Sequence, residues 1–141
     1  MKRTAKAHWS GTIKEGNGEL TTQSETLNKT KFSFKTRISE DVKGTNPEEL
    51  LAAAHSACFT MAVSFALTEK GLNPISLDTE AILTMEGFDI KGIHLSITGS
   101  VSGINTGEFE TITKDAEKNC LISKALNIPI SSEAILITEI F

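Results

Sequence analysis

The longest apolar run in the chain lies between Leu50 and Leu67. At 100° per residue its apolar positions fall on every side, which is the pattern of a helix buried all round and not of a one-sided surface helix. Both ends are marked. Asn46 can cap the start, Pro47 suits the first helical position, and Glu49, three residues after Asn46, can return a capping-box bond. Glu48 and Glu49 also suit the positive end of the dipole. Lys70 falls in the last turn, and Gly71 followed by Leu72 is a left-handed C-cap. The expected helix has about 24 residues and is roughly 36 Å long. A bilayer span has a similar length. Here His55, Ser56, Thr60 and Ser64 interrupt the run and strand-like segments surround it, so we read a core helix and no membrane. In a chain this small, such a helix would use up most of the core; a second subunit covering part of it is the simpler solution.

Around that helix the pattern alternates. Residues 5–13 predict a first strand, Gly16-Asn17-Gly18 a hairpin turn, and residues 19–27 a half-exposed return strand. Phe32, Phe34, Thr36 and Ile38 alternate with Ser33, Lys35, Arg37 and Ser39, which predicts a third strand with Arg37 on its polar face. After Gly71, residues 75–86 and 90–101 alternate about a turn at Gly87-Phe88-Asp89. Residues 107–119 then read as an amphipathic helix, with Phe109, Ile112, Ala116 and Cys120 on its apolar face and Glu110 and Lys114 as an i,i+4 pair opposite. A short helix at 121–127 ends before Pro129, and residues 130–141 close as a strand. The class is α+β, with antiparallel strands in two runs and one long buried helix.

At 141 residues the chain is expected to form a single domain, 1–141. A net charge of −4 argues against nucleic acid as partner. Lys2 and Arg3 are not followed by an apolar run, so no signal peptide is expected. The expected compartment is cytoplasmic, where two cysteines are free, catalytic or redox-active before they are a structural bridge.

Cys58 sits in the middle of the long helix, beyond the reach of its dipole. It is either a small core hydrophobe or a thiolate that needs a cation brought from elsewhere. Arg37, one of only two arginines, is the natural cation, or else an ordinary solvated side chain. His55, one turn before Cys58, either completes a thiol-hydrolase dyad or is a hydrogen-bonded core histidine. No Cys-x-x-Cys or His-x-x-x-His spacing supports a metal centre, and there is no phosphate loop, dinucleotide fingerprint or nucleophile elbow, so no metal or cofactor is expected.

The run from Thr45 through Cys58 and Phe59, with a lone second cysteine some 60 residues on, resembles the OsmC/Ohr family of bacterial organic-hydroperoxide reductases. Ala7-His8-Trp9 with Gly11, Phe34-Lys35-Thr36-Arg37 and Lys43-Gly44-Thr45-Asn46-Pro47-Glu48-Glu49-Leu50 resemble its OsmC branch (osmotically inducible protein C), and the likeness runs along essentially the whole chain. The resemblance implies an intertwined α+β homodimer with a long central helix and two interface active sites. It makes Cys58 the peroxidatic and Cys120 the resolving cysteine, Arg37 the activating arginine and Glu48 its carboxylate partner. It also implies organic hydroperoxides as substrates, and small dithiols or lipoyl-bearing proteins as reductants. There is one departure: Leu121 follows Cys120, where members often carry proline.

Helix geometry adds a constraint. Glu48 and Cys58 are ten residues apart, about 15 Å along one helix, too far to share a site within one subunit. An antiparallel copy crossing near Ala53, within Ala52-Ala53-Ala54, would bring Glu48 of one chain to Cys58 of the other. The expected function is a thiol peroxidase acting on alkyl or lipid hydroperoxides in oxidative or osmotic stress, with Phe59, Met61 and Phe65 selecting apolar tails. The alternatives are a Cys58–His55 thiol hydrolase, for which Cys120 is dispensable, and a non-enzymatic dimer that binds an apolar ligand.

Overall fold

A computed structural model describes residues 1–137, and these divide into two compact units that meet in sequence at Leu50 and Leu51. The first unit carries a three-stranded antiparallel meander: β1 (Ala5–Ser10), β2 (Asn17–Thr22) and β3 (Thr30–Phe32), in that order. The reversal between β1 and β2 is not at residues 16–18. Asn17 and Gly18 already pair with Ser10 and Trp9, and the chain turns earlier, where the Gly16 amide donates to the Thr12 carbonyl at 2.7 Å. Gly18 serves packing instead of turning: a Cβ there would come within 2.4 Å of the Phe32 ring. That ring lies 5.8 Å from Trp9, centroid to centroid.

The expected third strand stops at Phe32, and Phe34–Ile38 is a short helix, α1. Ser33 caps it. The Ser33 hydroxyl accepts from the Thr36 amide, and the Thr36 hydroxyl accepts from the Ser33 amide. This reciprocal box outweighs the alternation over residues 32–39. Arg37 therefore projects from a helix and not from a strand.

The second unit begins within α2 (Pro47–Glu69). The Glu49 amide donates to Asn46 Oδ1 at 2.7 Å, but the Glu49 carboxylate accepts from the Thr45 hydroxyl, so only half of the expected capping box forms. At the other end Gly71 takes φ +75°, and the Leu72 amide donates to the Leu67 carbonyl at 3.0 Å, closing a Schellman turn. There follow β4 (Pro74–Glu86), β5 (Asp89–Val101), α3 (Thr106–Asn119), α4 (Leu121–Ala125) and β6 (Ile130–Ile137); the rest of the expected last strand lies outside the described residues. β4 and β5 form an antiparallel hairpin, but β6 pairs parallel to β5, so this sheet is mixed and not wholly antiparallel. The crossover through α3 and α4 supplies the length that a parallel connection requires.

The core of this unit joins one face of α2 (Phe59, Val63, Leu67) to Ile93, Leu95, Ile97 and Val101 of β5 and to Phe109, Ile112 and Ala116 of α3. Gly99 lets Phe109 approach the sheet, since a Cβ there would lie 2.5 Å from its ring. In the single chain α2 is not buried all round. Ala53, Ala57, Met61 and Phe65 form an exposed apolar stripe at i,i+4 spacing, with Met61 73% and Phe65 68% exposed. The helix is long and apolar enough to cross a membrane. Its opposite face is sealed into a sheet-and-helix core, which is the arrangement of a globular domain and not of a lipid span.

Candidate active site

Arg37 and Glu48 form a cluster in the first unit. The Thr36 hydroxyl donates to the Thr45 carbonyl at 2.7 Å, and Asn46 Nδ2 donates to the Thr36 carbonyl at 3.1 Å. These bonds tie α1 to the start of α2 and set Arg37 over Glu48. Arg37 Nε donates to Glu48 Oε1 at 2.8 Å, and Nη2 reaches the same oxygen. Glu48 is nearly buried, its side chain only 10% exposed, whereas that of Arg37 is 40% exposed. Because both donors meet one oxygen, Glu48 Oε2 is buried without a hydrogen-bond partner among the described residues. The carboxylate fixes the guanidinium while a good part of the fork faces outward, as anchoring an arginine for an external group requires.

Cys58 and Cys120 form a cluster in the second unit. Cys120 ends α3 and begins α4: its amide donates to the Ala116 carbonyl at 2.9 Å, and its carbonyl accepts from the Lys124 amide at 3.0 Å. The break leaves the first amides of α4 without intrahelical acceptors. Cys58 is half-buried on α2 with Cys120 as its neighbour, and both thiols are free. Burial pushes the Cys58 thiol up, but the Cys120 thiol and the Ile122 and Leu121 amides together hold it below its ordinary value. Cys120 is 1% exposed, and its thiol is raised. Burial is the main cause; the neighbouring Cys58 adds to it, and the amide and hydroxyl of Ser123 and the Ile122 amide offset it in part. Of the two thiols, Cys58 is the one lowered and Cys120 the one raised.

The two residues paired in each unit were all legible as candidates; three contributors were not. Ser123 and the Leu121 and Ile122 amides emerge only from the helix break at Cys120, signalled in sequence by nothing stronger than a change of periodicity there. Leu121 supplies an N–H that a proline at that position would lack. His55 is fully buried, and its Nε2 meets the Ser123 hydroxyl at 2.8 Å. Its Nδ1 has no partner among the described residues, so the Cys58–His55 dyad is not formed. Phe59 is fully buried in the core and cannot meet a substrate tail, unlike Met61 and Phe65. Lys114 bonds the Ser132 carbonyl at 2.7 Å and Glu117, in place of the expected Glu110. No cluster of three or more metal-ligating side chains occurs among the described residues.

The OsmC-like protein family model matches residues 39–133, which include Glu48, Cys58 and Cys120. The chain is 42% identical over 135 residues to "Peroxiredoxin OsmC" of Escherichia coli strain K12, covering 93% of this chain and 94% of that protein. It is 34% identical over 96 residues to "Organic hydroperoxide resistance protein OhrA" of Bacillus subtilis strain 168, covering 64% and 67%. Among solved structures, the OsmC-like protein of Mycoplasma pneumoniae aligns with a TM-score of 0.76 at 14% identity over 97% of this chain and 98% of that one, a likeness of fold. The chain belongs to the OsmC-like family.

Proposed function

We propose that this member of the OsmC-like family is a cytoplasmic thiol-dependent peroxidase that reduces organic hydroperoxides to alcohols in oxidative or osmotic stress. The observation that carries the proposal is a pair of neighbouring free thiols, one half-buried and one buried, with Cys58 lowered and Cys120 raised. One sulfur is prepared to attack while the other keeps its proton. The Cys58 thiolate attacks a peroxide oxygen, the O–O bond breaks, and the alkoxide takes a proton and leaves as the alcohol. Cys58 is left as a sulfenic acid. Cys120 displaces water from it and forms a disulfide, and an external dithiol or lipoyl-bearing protein restores both thiols by exchange.

Arg37, held by Glu48, is the group proposed to steady the thiolate and polarise the O–O bond. It comes from a second copy. The exposed stripe Ala53, Ala57, Met61 and Phe65 is the surface on which that copy packs, with a two-fold axis near Ala53. The exposed alanines support close helix approach there, and the uncovered stripe supports a partner. Met61 and Phe65, at the rim of that interface, favour alkyl or lipid tails.

The test is a free-thiol count with intact mass before and after one equivalent of cumene hydroperoxide, on wild type and Cys120→Ser. The expected result is loss of both thiols and two hydrogens in the wild type, and a trappable sulfenic acid in the variant. Persistence of both thiols with peroxide unconsumed would overturn the proposal. Sedimentation of wild type and Met61→Asp tests the pairing: a dimer that dissociates in the variant is expected.

A further inference from the structure

His55 is a buried titratable group for which the peroxidase cycle described above has no use, and it is joined to the resolving cysteine. Its side chain is fully enclosed on α2, one turn before Cys58, and Nε2 lies 2.8 Å from Ser123 Oγ. Ser123 stands at the third helical position of α4 after the cap residue Cys120, from which a side chain can reach back to the cap, and its hydroxyl and amide both act to lower the Cys120 thiol. The chain of contacts runs His55, Ser123, Cys120, Cys58, entirely within the second unit.

The tautomer follows from satisfaction of the ring nitrogens. Nδ1 is buried with no partner among the described residues. A proton on Nδ1 would be an orphaned donor, and a buried unpaired donor is costly; a proton on Nε2 has Ser123 Oγ to meet. Burial keeps the ring neutral by lowering its affinity for a second proton. With Nε2–H donating to Oγ, the serine lone pair on that side is occupied and its own O–H is left to point at sulfur.

We propose that His55 acts through Ser123 as the positioning residue of the resolving step, aiming the Ser123 hydroxyl at Cys120 Sγ so that this sulfur can give up its proton and attack. This inference rests on the peroxidase reading and names the residues of its second half. The step balances. The Sγ–Sγ bond forms as the S–O bond of the Cys58 sulfenic acid breaks. The Cys58 sulfur is reduced and the Cys120 sulfur oxidised, and the Cys120 proton leaves with the departing hydroxide as water. As negative charge grows on Cys120, the serine O–H stabilises it where bulk water cannot enter.

Two measurements test this. The first is a single turnover with cumene hydroperoxide, following sulfenic acid by dimedone trapping and disulfide by mass. Ser123→Ala is expected to slow disulfide formation by roughly tenfold, the worth of one hydrogen bond to a charged group, with Cys58 oxidation changed far less. His55→Leu should match it, and His55→Gln, whose amide can donate to Oγ, should recover most of the rate. Disulfide formation in Ser123→Ala at the wild-type rate would overturn the proposal. The second needs no peroxide: an ultraviolet thiolate titration of Cys120 in a Cys58→Ser background, with and without Ser123→Ala. An upward shift on removing the hydroxyl is expected, and an unmoved titration would overturn the inference. If wild type fails to oxidise at all, the peroxidase reading falls, while the titration still decides whether Ser123 acts on Cys120.

Discussion

The Arg37–Glu48 and Cys58–Cys120 clusters are built by opposite means. The first is a charged pair at a surface, its guanidinium fixed on a nearly buried carboxylate by a knot of side-chain-to-backbone bonds around Thr36 and Thr45. The second holds its sulfurs with neutral groups: a thiol, amides and a hydroxyl, with burial working against ionisation of both. The difference matters for chemistry. A permanent cation lowers every acidic group near it, so it cannot by itself rank two adjacent thiols. Unequal burial and unequal neutral neighbours do rank them, lowering Cys58 and raising Cys120. In the proposed cycle the cysteine cluster decides which sulfur attacks. The ion pair is suited to decide how fast.

The comparison is sharpened most by removing each sulfur in turn. Cys58→Ser should abolish peroxide consumption, a loss of about a thousandfold or more, because a serine hydroxyl at this position has no base beside it. Cys120→Ser should consume one equivalent of peroxide and then stall as sulfenic acid. The first is read by peroxide consumption with dithiol in excess, and the second without dithiol, because an external thiol would itself reduce the sulfenic acid. If Cys120→Ser left no trappable sulfenic acid, the ranking of the sulfurs would have no catalytic meaning.

Glu48→Gln comes next. It keeps the shape of the side chain but removes the charge that anchors Arg37, and the reaction of Cys58 with cumene hydroperoxide should slow by about 10–100-fold. Arg37→Lys should not preserve the rate, since a point charge cannot keep two donors on Glu48 Oε1 and still offer others. A wild-type rate in both variants would break the comparison by showing that the ion pair and the thiols work independently.

Cys58 and Cys120 could be placed from sequence because each carries a long-range pattern, whereas the roles of Arg37 and Glu48 came from the family resemblance. The 18 residues from Leu50 to Leu67 place Cys58 on a helix whatever else happens. The spacing of Phe109, Ile112 and Ala116 puts Cys120 against the core, and all of these are buried. Arg37 was legible as a residue but not as geometry. Its alternating neighbours suit a strand, and only the Ser33–Thr36 box, a contact across three residues, makes them a helix. The parallel pairing of β6 was hidden for another reason. Nothing in the composition of residues 130–137 distinguishes parallel from antiparallel; the direction is set by the helical crossover before it. Ser123 was overlooked because its importance depends on a backbone break, where Cys120 ends one helix and begins another.

Smaller in effect, but direct, is the order in which the cysteines react with an alkylating reagent as pH changes. A lowered thiol is ionised at pH values where an ordinary one is protonated, so labelling of Cys58 should persist as pH falls through the ordinary thiol range. Labelling of Cys120, whose thiol is raised, should already be lost above that range. Peptide mapping of the first label gives the order directly. In denaturant the two should label alike, because the ranking belongs to the folded state.

The smallest expected effect isolates a single amide. Cys120 has φ −55° and ψ 130°, the extended geometry that a following proline requires. Leu121 holds the first position of α4, where proline is tolerated, and its side chain is 72% exposed, so little packing is lost on replacement. Leu121→Pro therefore removes chiefly one N–H, one of the groups that lower the Cys58 thiol. The labelling midpoint of Cys58 should move up, and its reaction with peroxide at neutral pH should slow severalfold, in keeping with ~1 kcal/mol for one hydrogen bond. Cys120 should titrate as before, since the groups that lower its thiol are the Ser123 amide and hydroxyl and the Ile122 amide. A parallel shift of both cysteines would mean that α4 had moved as a body. No shift of either would mean that the neutral donors do not hold the Cys58 thiolate, leaving its ionisation to the charged pair alone.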